Sequence, residues 1–168
     1  ELETIQTRLA RNKTRFTVQE QQKQHQIITQ LLDSCPSKWA DLPHICWLLG
    51  NIYNELGQQY FKTTHDYYLK AIQIEDKSAK VPITAIERLA NFEARQAEQQ
   101  QNPELIQTAI NRLLSLDESI NGKQKNLNIE RASLIASAYK RQAAVLAKLI
   151  IQQDKNSSPT DFLQALKN

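Results

Sequence analysis

The chain has no methionine, three glycines, five prolines and two cysteines among its 168 residues. Each shortage removes a class of explanation. The glycines stand apart, at 50, 57 and 122, and cannot build a loop that cradles phosphate. Cys35 and Cys46 form no paired motif, so zinc-ligand spacing and a disulfide framework are both missing and a reduced, cytoplasmic chain is the simplest reading. His25, His44 and His65 make neither HExxH nor a close ligand pair. Glu75-Asp76 and Asp117-Glu118 fall at expected helix ends rather than as an inward-facing acid/base couple. The longest apolar run, Ala143–Ile151, is interrupted by Lys148 and is far too short to cross a bilayer. No signal-peptide pattern opens the chain. With no Met even at position 1, an excised piece of a larger protein is expected. Together these absences predict no catalytic site, no metal, no cofactor and no membrane contact, with any catalytic domain lying outside this chain.

What is present favours helix. Gln, Ala, Leu, Ile, Lys and Glu dominate, and β-branched alternation is almost absent. Leu2, Ile5 and Leu9 have helical spacing. Thr17 is placed to cap a second helix running to about Asp33, stopped by Ser34-Cys35-Pro36-Ser37. A third is expected at about 38–56 with Pro43 in its first turn, Trp39 in a separate short turn before it, and Gly57 as a left-handed cap. A fourth covers about 59–75, Pro82 opens a fifth, and Asn102-Pro103-Glu104 supplies cap, first-turn proline and first-turn acid for a sixth. Asn121-Gly122 breaks it, a seventh runs over about 128–153, and Ser158-Pro159-Thr160-Asp161 starts a short last one. The fold class is all-α, with about seven to eight helices. Residues 1–36 lead into a helical array over 37–168, a single domain overall.

Charge is uneven. Residues 122–168 carry eight Lys/Arg against three acids, while 58–121 carry seven against nine. A basic C-terminal third points either to an acidic partner surface or to no more than a solvated face. A net charge of +3 does not by itself imply nucleic acid.

The helices come in pairs with short links, which prompts a search for repeats. Cys46-Trp47-Leu48-Leu49-Gly50-Asn51-Ile52-Tyr53 resembles the first-helix signature of the tetratricopeptide repeat (TPR), with Leu49, Gly50 and Tyr53 matching and Cys46 where the family often has Trp. Thr64, Tyr68 and Ala71 resemble the second-helix pattern, with Thr64 where the family prefers Ala. Ile86–Phe92 and Ala132–Tyr139 read as further copies, with Ala90 and Ala136 in the slot of Gly50. The spacings, 40 residues from Leu49 to Leu89 and 46 from Leu89 to Ile135, exceed the regular period of about 34. Two extra residues between Gly57 and Ala71, and Asp76 near the family's proline position, are further departures. The run is similar to divergent repeats of large bacterial proteins that carry effector modules such as CHAT, a caspase-like protease domain.

The resemblance implies antiparallel helix pairs stacked in a right-handed superhelix, whose first helices line a concave groove. It places His44, Trp47, Asn51 and Asn54 on that groove in the first unit, Glu87, Asn91 and Arg95 in the second, and Ser133, Ser137, Lys140 and Arg141 in the third. Asn at the slots of Asn51 and Asn91 would bond a bound segment's backbone or carboxylate, and Arg95, Lys140 and Arg141 would favour an acidic one. The plainer alternative is that these asparagines sit on a wet face or bond their own neighbours. Trp39 and Trp47 are the candidates for an exposed anchor. The expected role is a protein-interaction scaffold or regulatory region that binds a partner segment or the effector domain of its own polypeptide. Nucleic-acid binding through the basic third is the rival. Exposed apolar ends of a truncated array would also allow copies to pair.

Overall fold

The computed structural model describes residues 2–11, 17–77, 82–121 and 128–156. Seven α-helices account for nearly all of them, and no strand occurs among the described residues. They are α1 (Leu2–Arg11), α2 (Val18–Ser34), α3 (Pro43–Leu56), α4 (Phe61–Lys77), α5 (Ile83–Gln99), α6 (Pro103–Asn121) and α7 (Ile129–Asn156). Short 3-10 turns, Ser37–Asp41 and Gln58–Tyr60, precede α3 and α4. The expected short helix after Ser158 lies outside the described residues. The chain divides into two compact units, Glu1–Phe92 and Glu93–Asn168.

The helix boundaries follow local chemistry. Thr17 and Glu20 form a reciprocal capping box at the start of α2: the Glu20 amide donates to Thr17 Oγ1 at 3.3 Å, and the Thr17 amide donates to the Glu20 carboxylate at 2.8 Å. The Thr17 bonds hold the Glu20 carboxyl below its ordinary range. Pro43 occupies the first turn of α3, where a missing N–H costs nothing. Gly57 ends α3 with φ 124° and ψ 179°. That is positive φ, as expected, but in an extended glycine-only region rather than the left-handed helical one.

In the first unit α3 is the centre. Eight of its fourteen residues are buried, so it is apolar on most sides and must be surrounded. Leu2 and Leu9 of α1 and Ile28 of α2 share one core with Ile45, Leu49, Ile52 and Leu56 of α3. Helices α1 and α2 therefore contribute directly to the packing of α3. On another side Cys46 meets Ala71 of α4 and Ala85 of α5, and Tyr68 of α4 packs with Leu89 and Phe92 of α5.

Gly50 explains how close α3 and α4 come. A Cβ built there would lie 2.6 and 2.7 Å from two carbons of the Tyr68 ring. The small-residue slot is thus filled by an aromatic face. Thr64, one turn before Tyr68, is fully buried and its hydroxyl has no hydrogen-bond partner. Such a hydroxyl carries a desolvation cost of about 1–3 kcal/mol. Thr64→Ala is accordingly expected to raise the thermal midpoint, by a net stabilisation of about 1 kcal/mol once the lost methyl contacts are counted. A lowered midpoint in a calorimetric scan would contradict this account.

In the second unit α5 and α6 are joined by a tight link. The Gln101 amide donates to Glu98 O at 3.1 Å and the Asn102 amide to Ala97 O at 2.9 Å, with Gln101 at φ 54°. This is a Schellman ending with glutamine where glycine is usual. Asn102 Oδ1 then accepts from the Glu104 and Leu105 amides, both at 3.1 Å, and starts α6 as expected. Ala94 and Ala97 of α5, Ile106, Ala109, Ile110 and Leu113 of α6, and Ala138 and Val145 of α7 are buried. Ala136, the expected counterpart of Gly50, is exposed. The buried small residue of that helix is Ala138, two positions on, which turns the expected register of the third copy by more than half a helical turn.

Candidate functional site

Six residues of α3 escape burial: Pro43, His44, Trp47, Asn51, Asn54 and Glu55. Four of them are the expected row, His44, Trp47, Asn51 and Asn54. Spacings of three, four and three put these on one helical face. A helix otherwise enclosed by its neighbours thus presents one mostly polar strip to the surface.

The members of that strip differ. His44 is exposed, and Asn54 is half-buried. Trp47 is half-buried and packs against all three apolar clusters of the unit, including those holding Ala85, Leu89 and Phe92 of α5. It is a core wedge with one edge outside, not the exposed anchor considered from sequence. Trp39 fits that description better, being 48% exposed on its 3-10 turn with Leu42 also exposed three residues on. Asn51 Oδ1 accepts a hydrogen bond from the Tyr68 hydroxyl at 2.8 Å. Its carbonyl is therefore used in holding Tyr68 against Gly50. Glu87 and Asn91 of α5 are half-buried and flank the very residues that Trp47's clusters contain.

In the second unit Arg95 and Lys140 are exposed, and Ser137 and Arg141 are half-buried. Ser133 is exposed. Arg141 forms an ion pair with Glu98 of α5, so one of the three expected basic groups is answered from within. Arg112 grips Glu93 with two bonds, at 3.1 and 3.2 Å. Arg131 is only 2% exposed and pairs with Asp117 at 2.6 Å. Gln142 Nε2 donates to the Pro103 carbonyl at 3.1 Å and to Gln107 Oε1 at 3.0 Å. Three arginines in this unit are thus committed to carboxylates of other helices. Sequence periodicity carries no signal for such pairs, because the partners lie on separate helices.

An aromatic cluster was also hidden from sequence. His25 Nδ1 of α2 lies 3.0 Å from the Tyr53 hydroxyl, and Tyr53 stacks on Tyr67 with ring centroids 5.6 Å apart. Tyr60 packs against both His25 and Tyr53. Burial, then the neighbouring Tyr67 and Tyr60 hydroxyls, push the Tyr53 phenol from 10.0 up to about 12. Burial also raises Tyr67. A folded-state value above the unfolded one gives stability that is complete below about pH 10 and is lost as pH rises through about 12. Alkaline titration followed by phenolate absorbance should show late-ionising tyrosines whose appearance coincides with loss of helix. Ionisation of all five near pH 10 with the helix intact would contradict it.

Among the described residues no group of three or more His, Cys, Asp and Glu could hold a metal ion. Burial raises the Cys46 thiol, with Lys70 opposing and Asp41 reinforcing, which works against a nucleophilic role. Among the described residues no helix is long and apolar enough to cross a membrane. No protein-family model, curated protein or solved structure matches the chain.

Proposed function

We propose that the chain is a TPR-like interaction scaffold, a regulatory region of a larger cytoplasmic, bacterial signalling or defence protein. In this reading it holds a segment of a partner, or of its own polypeptide's effector domain, against the strip on α3 and the neighbouring face of α5. The observation that carries the reading is the exposure pattern of α3. Eight residues are spent on the core, while His44, Trp47, Asn51 and Asn54 form a continuous strip of amide, imidazole and indole edges. Such a strip suits the backbone of an extended or helical segment. The close approach at Gly50 supports the same reading, because helix pairs with a small residue at their crossing are the building unit of these arrays. The commitment of Arg131 and Arg141 to Asp117 and Glu98 weighs against a nucleic-acid surface, which needs cations turned toward phosphates.

The test is site-specific photo-crosslinking from positions 55 and 88, exposed neighbours of the strip on α3 and of Asn91 on α5, in the cells of origin. A discrete polypeptide adduct is expected, lost in the His44→Ala/Asn54→Ala/Asn91→Ala variant and kept in Gln73→Ala, which alters an exposed residue of α4. Asn51 is left unchanged in this experiment because it supports Tyr68. A nuclease-sensitive adduct, or none, would overturn the reading.

A further inference from the structure

Helix α1 is seated on α3 in the way a ligand helix is seated in a groove. Its anchors are Leu2, Ile5 and Leu9, at positions i, i+3 and i+7. Leu2 and Leu9 are buried and Ile5 is half-buried against the same cluster. That spacing is how an amphipathic helix is read by an apolar groove. Glu3, Thr4 and Thr7 are exposed. Among the described side chains of α1 the one hydrogen bond is internal, from Thr7 Oγ1 to the Glu3 carbonyl at 2.8 Å. Helix α2 is held differently, by polar groups as well: His25 Nδ1 lies 3.0 Å from the Tyr53 hydroxyl, and Gln59 Nε2 donates to Gln21 Oε1 at 2.8 Å.

The seat is one face of α3. Ile45, Leu49, Ile52 and Leu56 recur at spacings of four, three and four and share a cluster with Leu2, Leu9 and Ile28. At about 100° per residue this row lies on the side of α3 roughly opposite His44, Trp47, Asn51 and Asn54. The occupant is held lightly. A helix of ten residues falls short of the roughly 12–15 that an isolated helix needs in water. Three side chains must therefore offset the ordering of the whole of α1, whereas α3 buries eight of its fourteen residues. An emptied seat would turn an apolar row toward water and so favour being filled again.

We infer that the face of α3 beneath α1 is a helix-docking site, that α1 is its resident occupant, and that an amphipathic helix of a partner protein with apolar residues at i, i+3 and i+7 takes its place. Since no described polar group of α1 bonds the seat, the partner is selected by apolar spacing and not by charge. This goes beyond the strip reading and uses the other side of α3.

The test uses the purified full chain and a labelled synthetic peptide with the sequence of residues 2–11. In the wild-type chain the α1 amides should exchange hydrogen at least about a hundredfold faster than those at the centre of α3. The Leu2→Ser/Leu9→Ser variant no longer fills its own seat. Fluorescence anisotropy should show it binding the peptide at least about tenfold tighter than wild type does, because a resident occupant lowers apparent affinity by the fraction of seats left open. Thr4→Ser/Thr7→Ser, which alters exposed residues of α1, should shift affinity by less than about twofold. A second peptide that keeps Leu, Ile and Leu at these spacings and changes every other position should compete with the first, and one with both leucines replaced by serine should not. Equal protection of α1 and α3, equal binding by wild type and Leu2→Ser/Leu9→Ser, no binding, or loss of helix beyond α1 in that variant would overturn the inference. So would a wild-type dimer in sedimentation velocity that Leu2→Ser/Leu9→Ser dissolves, since the occupant would then be the α1 of a second copy. The His44→Ala/Asn54→Ala/Asn91→Ala variant should bind the peptide as wild type does. Loss of the crosslinks with peptide binding intact would remove the α3 strip alone, and the converse would remove the exchange of α1 alone.

Discussion

Asp117→Ala is expected to cost about 3 kcal/mol or more, because it leaves a buried guanidinium without its carboxylate. Arg131 is the largest fully buried side chain among the described residues, drawn under the α6–α7 pairing by Asp117 at 2.6 Å. Removing the acid takes the carboxylate away from a buried charge, whereas replacing the whole pair with apolar atoms removes both charges. Arg131→Met in the Asp117→Ala background should therefore recover most of the loss. Urea unfolding followed by circular dichroism measures both. A single-variant cost under about 1 kcal/mol, or a double variant no better than the single, would show that the pair is not the structural element described.

Gly50→Ala should also destabilise, against the usual gain of about 1 kcal/mol when a helical glycine becomes alanine. The new methyl would sit 2.6 Å from Tyr68 Cε1 and 2.7 Å from Cδ1. The ring cannot swing aside easily, since its hydroxyl donates to Asn51 and it lies tilted against Phe92 with centroids 6.1 Å apart. The net loss is put at about 2 kcal/mol, and more for Gly50→Val. Tyr68→Leu should lose stability alone yet lose less in the Gly50→Ala background, a favourable coupling in a double-mutant cycle. Additive effects would mean that α3 and α4 part freely, and that the crossing at Gly50 does not set their spacing.

What sequence could show was whatever is local. Thr17 with Glu20, Pro43, and Asn102 with Pro103 announce helix starts because a cap is made within four residues. Gly50 was legible as a small residue at a helix crossing, though not the ring that fills it. Gln101 was not legible as a helix stop: nothing in a glutamine signals φ 54°, and the bonds from 101 and 102 to Glu98 and Ala97 impose it. The third repeat copy misled because a run of small residues, Ala136, Ser137, Ala138, fits two registers equally, and only packing against α6 selects Ala138. For the candidate strip, the repeat resemblance named four of the six residues of α3 that escape burial. It could not assign Asn51 a partner, because Tyr68 arrives from the next helix. The basic C-terminal third looked more cationic in sequence than it is in space, since Glu98 and Asp117 answer Arg141 and Arg131.

Both tryptophans, Trp39 and Trp47, fall in the first unit, and the second has none. Intrinsic indole emission therefore reports on residues up to Phe92 and is silent about α6 and α7. The two emitters also differ, with Trp39 open to an aqueous quencher and Trp47 wedged among apolar clusters. Comparing emission with helical dichroism during unfolding would then separate the two halves of the chain without any added label, and show whether they melt as one body or in sequence.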